Sequence, residues 1–173
     1  MFKPDRRAFS LSALAMLAAC AAPERQPRFK TYYGPPVTQV AVHKGQRSMY
    51  LLSGANVMKS YRFGLGFQPT GHKQFEGDGK TPEGVYFIDR FNPRSRYHLS
   101  VGVSYPNERD AALAQALGRQ PGGDIFIHGR GPEGNRFAQT NRDWTAGCIA
   151  VKDEEIEEVY AMLRPGIPIV INP

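Results

Sequence analysis

The sequence predicts a β-rich α+β domain, and three observations carry that expectation. Apolar residues alternate at every second position in several short runs, as half-buried strands require. The turn formers Gly and Pro number 18 and 14 among 173 residues, too many for a helical bundle. Only two stretches show helical spacing with start and stop signals. The length fits one domain. With 41% hydrophobic and 22% charged residues, the composition excludes a disordered tail protein, a collagen-like chain and a coiled coil.

In chain order, Val37-Thr38-Gln39-Val40-Ala41-Val42 alternates and is the first strand; the turn at Lys44-Gly45 leads to a second over residues 47–52. Strands are further predicted over 57–64, 84–90 and 97–105. A helix over 108–117 has Asn107 as N-cap and Gly118 as stop. Ile125-Phe126-Ile127 is a short apolar strand running directly into His128. A second helix is expected over 153–163, acidic in its first turn as the helix dipole favours. A strand over 167–171 closes the chain, and no internal repeat is present.

The first residues read as an export leader. Lys3, Arg6 and Arg7 precede an apolar stretch, Ala8 to Ala19, that is too short to span a bilayer but suits a secretion signal. Leu17-Ala18-Ala19-Cys20 is similar to the bacterial lipoprotein signal, with Cys20 as the lipidated residue, and Asp5 to Leu11 also resembles a twin-arginine export signal. The expected organisation is a signal peptide over 1–19, a lipidated tether over 20–36 and a folded domain over 37–173. The tether is rich in Ala, Pro, Gln and Arg without periodicity, and extended it reaches roughly 50 Å at about 3.3 Å per residue. This places the domain at the periplasmic face of the envelope, anchored to a membrane through lipid. Ala21 follows Cys20 in place of the Asp that retains some lipoproteins at the inner membrane, which favours the outer one.

The formal charge of +6 admits an anionic partner, but no block of five basic residues occurs, and aromatic and basic residues do not interleave. Nucleic acid is therefore not expected. Gly79-Lys80-Thr81 has the ending of a phosphate-binding loop, yet Gln74 stands where its first Gly belongs and Pro82 follows where a helix is needed. His43, His72 and His98 show no paired spacing for a metal.

Only Cys20 and Cys148 exist. With Cys20 lipidated, Cys148 has no disulfide partner in an oxidising compartment, and such a thiol is either buried and inert or a nucleophile. His128 at a strand end and Cys148 in a glycine-containing turn are the parts of a thiol–imidazole pair, in which an imidazolium would lower the thiol pKa. Gly147 lets a carbonyl carbon approach the sulfur, and the N–H groups beside Cys148 would face a developing oxyanion.

His128-Gly129 followed by Thr145-Ala146-Gly147-Cys148-Ile149 resembles the signature of the L,D-transpeptidase (YkuD-like) catalytic domain. Gly71-His72-Lys73, Glu76-Gly77-Asp78, Lys80-Thr81-Pro82-Glu83-Gly84 and the Asp143-Trp144-Thr145 run are similar to the murein L,D-transpeptidase branch. The resemblance spans about residues 37–172. It implies a twisted β-sandwich-like fold with one or two helices and a cysteine acyl-enzyme on peptidoglycan stem peptides, with no metal or other cofactor. It maps the nucleophile onto Cys148, the proton donor and acceptor onto His128, and the family's glycine onto Gly147. Thr145, Trp144, His72 and Arg142 are the candidate substrate-binding residues. Ala150 departs from the pattern, because many members carry Arg there; Arg130, Arg136, Arg142 and Lys152 are the candidates to replace its charge. The implied activity is transfer of the acyl group to an amine acceptor. The alternatives are hydrolysis, as an L,D-carboxypeptidase or an amidase that detaches wall-bound lipoprotein, and a non-catalytic wall-binding module.

Overall fold

The computed structural model describes residues 29–173; the signal peptide, Cys20 and the first part of the tether lie outside them. Eight strands and three helices follow one another as β1 (Gln39–His43), β2 (Ser48–Ser53), β3 (Asn56–Arg62), β4 (Gly84–Ser95), β5 (His98–Val103), α1 (Glu108–Ala116), β6 (Phe126–His128), α2 (Gly131–Thr140), β7 (Ile149–Ala150), α3 (Asp153–Met162) and β8 (Pro168–Asn172). The strands are ordered β3-β2-β1-β8-β4-β5-β6-β7. This is the β-rich α+β architecture that the strand periodicity predicts.

The long β4 joins the two halves of the sheet. Its residues 84–87 pair with β8, and residues 88–95 pair with β5. Inward residues of both halves, among them Val40, Met49, Leu51 and Ile169 on one side and Val101, Ile127 and Ile149 on the other, meet in one apolar core. β1 pairs antiparallel with β2 and parallel with β8; β6 pairs parallel with β7. That last pairing sets the site, because it places His128 opposite Ala150, two residues beyond Cys148.

The helices are three rather than one or two. α1 starts as predicted: Asn107 Oδ1 accepts from the Asp110 N–H, and Asp110 Oδ2 accepts from the Asn107 N–H, each at 3.0 Å. α3 lies across β5 and β6. The unpredicted α2 contains Gly131, Pro132 and Gly134, a composition that reads as loop. Pro132 is tolerated in the first turn, where its missing N–H has no intrahelical partner. Gly134 is there for packing, since a Cβ would lie 2.7 Å from the Trp144 ring. The segment read as the end of the tether touches the domain: the Lys30 ammonium donates to Glu154 O at 3.0 Å and faces Glu157 at 3.4 Å, and Tyr32 packs on the core.

Candidate active site

The turn that carries Cys148 is braced from three sides. Thr145 bonds the chain at residues 65–67, through its N–H to Leu65 O at 3.1 Å and its carbonyl from the Phe67 N–H at 2.9 Å. Its hydroxyl donates to Cys148 O at 2.7 Å and accepts from the Gly147 N–H at 3.2 Å. The Thr81 hydroxyl donates to Gly147 O at 2.8 Å. Gly147 has φ +140°, and a Cβ there would lie 2.7 Å from Lys80 O. Glycine is therefore required by backbone conformation and by space. Thr145, a candidate substrate contact, holds the turn closed with its hydroxyl.

Asp143 anchors the approach to this turn. It receives the Arg47 guanidinium at 2.8 and 3.1 Å and the Leu65 N–H at 2.9 Å. Burial alone would raise its pKa; the Arg47 contact and the Leu65 bond outweigh that and hold it below the ordinary carboxylate value.

His128 ends β6 and is 3% exposed. Its Nδ1 lies 2.5 Å from Gly129 O. A carbonyl only accepts, so Nδ1 carries the hydrogen and Nε2 keeps the lone pair of a base. Tyr97 stacks on the ring at 4.8 Å, and Trp144 meets its edge at 5.7 Å while itself touching Tyr97 and Phe137. Trp144 thus forms a wall against the imidazole. Asp153 Oδ1 accepts from the Arg130 and Gly131 N–H groups at 2.7 and 2.9 Å, fixing the chain just after His128. A Cβ at Gly129 would lie 2.7 Å from that same oxygen.

Burial dominates the electrostatics of both groups. It lowers the His128 pKa to about 4, against the raising effects of the Gly129 bond and the Asp153 charge. It pushes the Cys148 thiol up to about 11; the Asp124 charge adds to the rise, while the Phe126 backbone bond and the Lys73 and Arg90 charges oppose it. The thiol donates to Asp124 O at 3.4 Å. Both shifts favour the neutral forms, thiol and imidazole, at neutral pH. Both directions run against the expectation of an imidazolium that lowers the thiol pKa, because burial disfavours the charged ring.

The other predicted residues are dispersed. His72 accepts the Glu83 N–H at Nδ1 (2.9 Å) and places Nε2 3.2 Å from Asp110 Oδ1. It lines a pocket of about 530 Å³ bordered by Glu83, Asn107, Arg109 and Asp110, with no residue of the Cys148 turn in the lining. Arg142, Arg136 and Lys152 are exposed. Two cations that sequence reasoning did not single out do act on the thiol: Lys73, buried and bonded to Asp78 at 2.9 Å, and Arg90 on β4. Lys73 lies in the Gly71-His72-Lys73 motif and could have been found there; Arg90 has no motif. Buried Lys44 was also missed: its ammonium donates to Gly71 O, Thr81 O and Glu83 Oε1 at 2.6–2.9 Å, holding the loop that braces Gly147. Among the described residues, no group of three His, Cys, Asp or Glu is arranged to hold a metal, and no helix is long and apolar enough to cross a membrane.

The chain is similar to known proteins in sequence and in fold. YafK of Escherichia coli (strain K12), whose name carries the L,D-transpeptidase designation, is 27% identical over 154 residues, which cover 81% of this chain and 55% of that one. The crystal structure of the helical cell shape determining protein Pgp2 from Campylobacter jejuni superposes with a TM-score of 0.60 at 26% identity, over 81% of this chain and 49% of that one. An L,D-transpeptidase from Mycobacterium smegmatis, 13% identical, shares the fold with a TM-score of 0.53 over 81% of this chain and 60% of its own. The chain thus spans about half the length of the relatives it matches. Residues 38–171 match the L,D-transpeptidase catalytic domain, and the chain belongs to that family, YkuD.

Proposed function

We propose that the protein is an exported cysteine acyltransferase acting on peptidoglycan stem peptides. The observation that supports this best is the glycine turn at 145–148 beside a buried imidazole whose Nδ1 is fixed by Gly129 O. Nε2 of His128 takes the proton as the Cys148 sulfur attacks the peptide carbonyl at an L-to-D bond. The tetrahedral oxyanion forms against the Cys148 N–H, since the Gly147 N–H is given to the Thr145 hydroxyl. His128 then protonates the leaving amine, and a thioester remains on Cys148. An acceptor amine attacks that thioester, gives its proton to His128 and regenerates the thiol, leaving a cross-link or an attached protein.

A second reading, hydrolysis of the same thioester, is favoured by Ala150, which puts a methyl group where many family members carry a cation. Water is present at about 55 M, and a well-held acceptor outcompetes it only through an effective molarity of roughly 10⁵ M or more. Incubation with a donor tetrapeptide and a tagged acceptor amine tests both. Mass spectrometry should show an adduct on Cys148 that is lost in Cys148→Ala. Tagged product rising with acceptor concentration supports transfer; trimmed donor alone, even at high acceptor, establishes the hydrolase. No adduct and no product would leave the non-catalytic wall-binding module.

We further propose that Cys20 carries lipid and tethers the domain to the periplasmic face of the outer membrane. Two or three acyl chains, at about 0.8 kcal/mol per buried CH₂, anchor firmly where one is marginal. Cys20→Ala should move the exported protein from the membrane fraction to the soluble one; a mature N-terminus other than Cys20 would refute the tether.

A further inference from the structure

The turn between β4 and β5 is made by Arg96 and Tyr97 and closed by the pairing of Ser95 with His98. His98 has φ +77°, a left-handed backbone that glycine or asparagine adopts most readily. A glycine would satisfy the turn, yet a histidine stands there with its imidazole turned into the protein. Its Nε2 donates to Glu157 Oε1 at 2.9 Å, and the two side chains are 4% and 5% exposed. Glu157 comes from α3, and its other oxygen lies 3.4 Å from the Lys30 ammonium. Ion pairs buried in this way add little net stability over apolar packing. The pair does, however, fix the residue beside it.

That residue is Tyr97, whose ring lies on His128 with the two planes 26° apart. Its N–H is taken by the Ser95 hydroxyl at 3.2 Å. Two glycines just after His128 make room for the turn. A Cβ at Gly129 would lie 2.8 Å from Tyr97 O; one at Gly131 would lie 3.0 Å from Arg96 O and 3.3 Å from Tyr97 Cα. Turn and base are therefore packed backbone to backbone. The Tyr97 hydroxyl makes no hydrogen bond among the described residues, so the ring face is what Tyr97 contributes.

We propose that Tyr97 is a positioning residue for His128, and that the buried His98–Glu157 pair holds it in place; this rests on His128 being the base that takes the Cys148 proton. The bond from Nδ1 to Gly129 O pins one atom of the imidazole, and a stacked face pins its plane. Together they set the direction in which Nε2 points. The face also acts during the transfer. As the proton leaves the sulfur for Nε2, positive charge appears on a buried ring, and the negative face of the tyrosine lies against it. A carboxylate in that place would hold the imidazole charged at rest; an aromatic face favours the charge while leaving the resting ring neutral.

The test uses the full exported chain and its Tyr97→Phe, Tyr97→Leu, Glu157→Gln and Glu157→Ala variants, each checked for folding by urea unfolding. Acylation of Cys148 by a donor tetrapeptide is followed by intact mass over a range of peptide concentrations. Tyr97→Leu should lower the maximal rate about tenfold or more and leave the half-saturating concentration within about twofold. Tyr97→Phe keeps the face and should stay close to the wild type. Glu157→Ala should slow acylation, Glu157→Gln should slow it less because an acceptor for His98 remains, and Glu157→Ala should add no further loss in the Tyr97→Leu background. If Glu157→Ala does not fold, Glu157→Gln carries the same cycle. The His128 ring protons give a reading without peptide: the Tyr97 ring current should shift them upfield in the wild type, and the change at Glu157 should reduce that shift. An unchanged maximal rate in Tyr97→Leu, a rise in half-saturating concentration alone, additive losses at the two positions or an unmoved ring shift each overturn the proposal. A wild type that is never acylated would overturn the reading of His128 as the base and the proposal with it, a result distinct from equal acylation of wild type and Tyr97→Leu, which overturns the proposal alone.

Discussion

The resting state of Cys148 gives a prediction that separates a half-buried, neutral thiol from a preformed thiolate. Burial raises its pKa from an ordinary value of 9.0 to about 11. At any pH below both values this lowers the thiolate fraction about 100-fold. The thiolate that does form is more basic and so more nucleophilic. With a Brønsted slope near 0.45 it recovers roughly tenfold of that loss. A small neutral disulfide should therefore modify Cys148 about tenfold more slowly than it modifies free cysteine at pH 7.5. The rate should keep rising tenfold per pH unit through pH 9, without a plateau. Peptide mapping by mass spectrometry assigns the label to Cys148 rather than Cys20. A plateau beginning at or below pH 8, or modification faster than free cysteine, would refute the neutral pair and reinstate a thiolate–imidazolium pair.

His128 is held neutral at a pKa of about 4 against 6.5 unfolded, so the unfolded chain binds the proton first and stability falls as pH drops from 6.5 to 4. Urea unfolding should show a loss on the order of 3 kcal/mol across that window, absent in His128→Gln. Gly147→Ala forces a side chain into φ +140° and against Lys80 O; it should cost about 1–3 kcal/mol by the same assay and abolish acylation. Asp143→Asn removes the charge that Arg47 holds, at a cost of about 1–3 kcal/mol at pH 7. Because the folded Asp143 pKa is depressed, the wild type keeps this stability above the ordinary carboxylate pKa and loses it as pH falls through the folded value. The difference between the two proteins should therefore close in acid.

Sequence patterns revealed the elements that carry their own local reasons. The alternation in β1 and the Asn107 N-cap of α1 are written within a few residues of themselves. α2 was not legible, because Gly134 answers to the Trp144 ring and not to helix propensity. β7, at two residues, is too short for a period. The same division runs through the site. Cys148, His128 and Gly147 stand in two short motifs, and the structure sets His128 at the end of β6 and Cys148 just before β7, the strand that pairs with it. Tyr97 and Arg90 reach the same place only through β-sheet register, which no local signal encodes. Thr145 illustrates the converse: its place in the pattern was plain, but its part as a brace appears only with the Gly147 and Cys148 bonds in view.

Ala150 joins these observations. It is 1% exposed, exchanges two backbone bonds with Gly64 at 2.9 Å each, and faces His128 across the parallel pair. An arginine in this closed position would bury a guanidinium beside a neutral imidazole, and an unpaired buried charge costs several kcal/mol. A positive charge near His128 would also depress further the basicity that the ring needs to accept the thiol proton. In the reading proposed above, a cation that serves Cys148 without penalising His128 enters the sheet face from its far end. The bulge in β4 and the bare Cα of Gly102 open that route to Arg90. The small residues at 150 and 102 then differ in setting: the first lies closed in beside His128, and the second leaves room for Arg90 to reach Phe126.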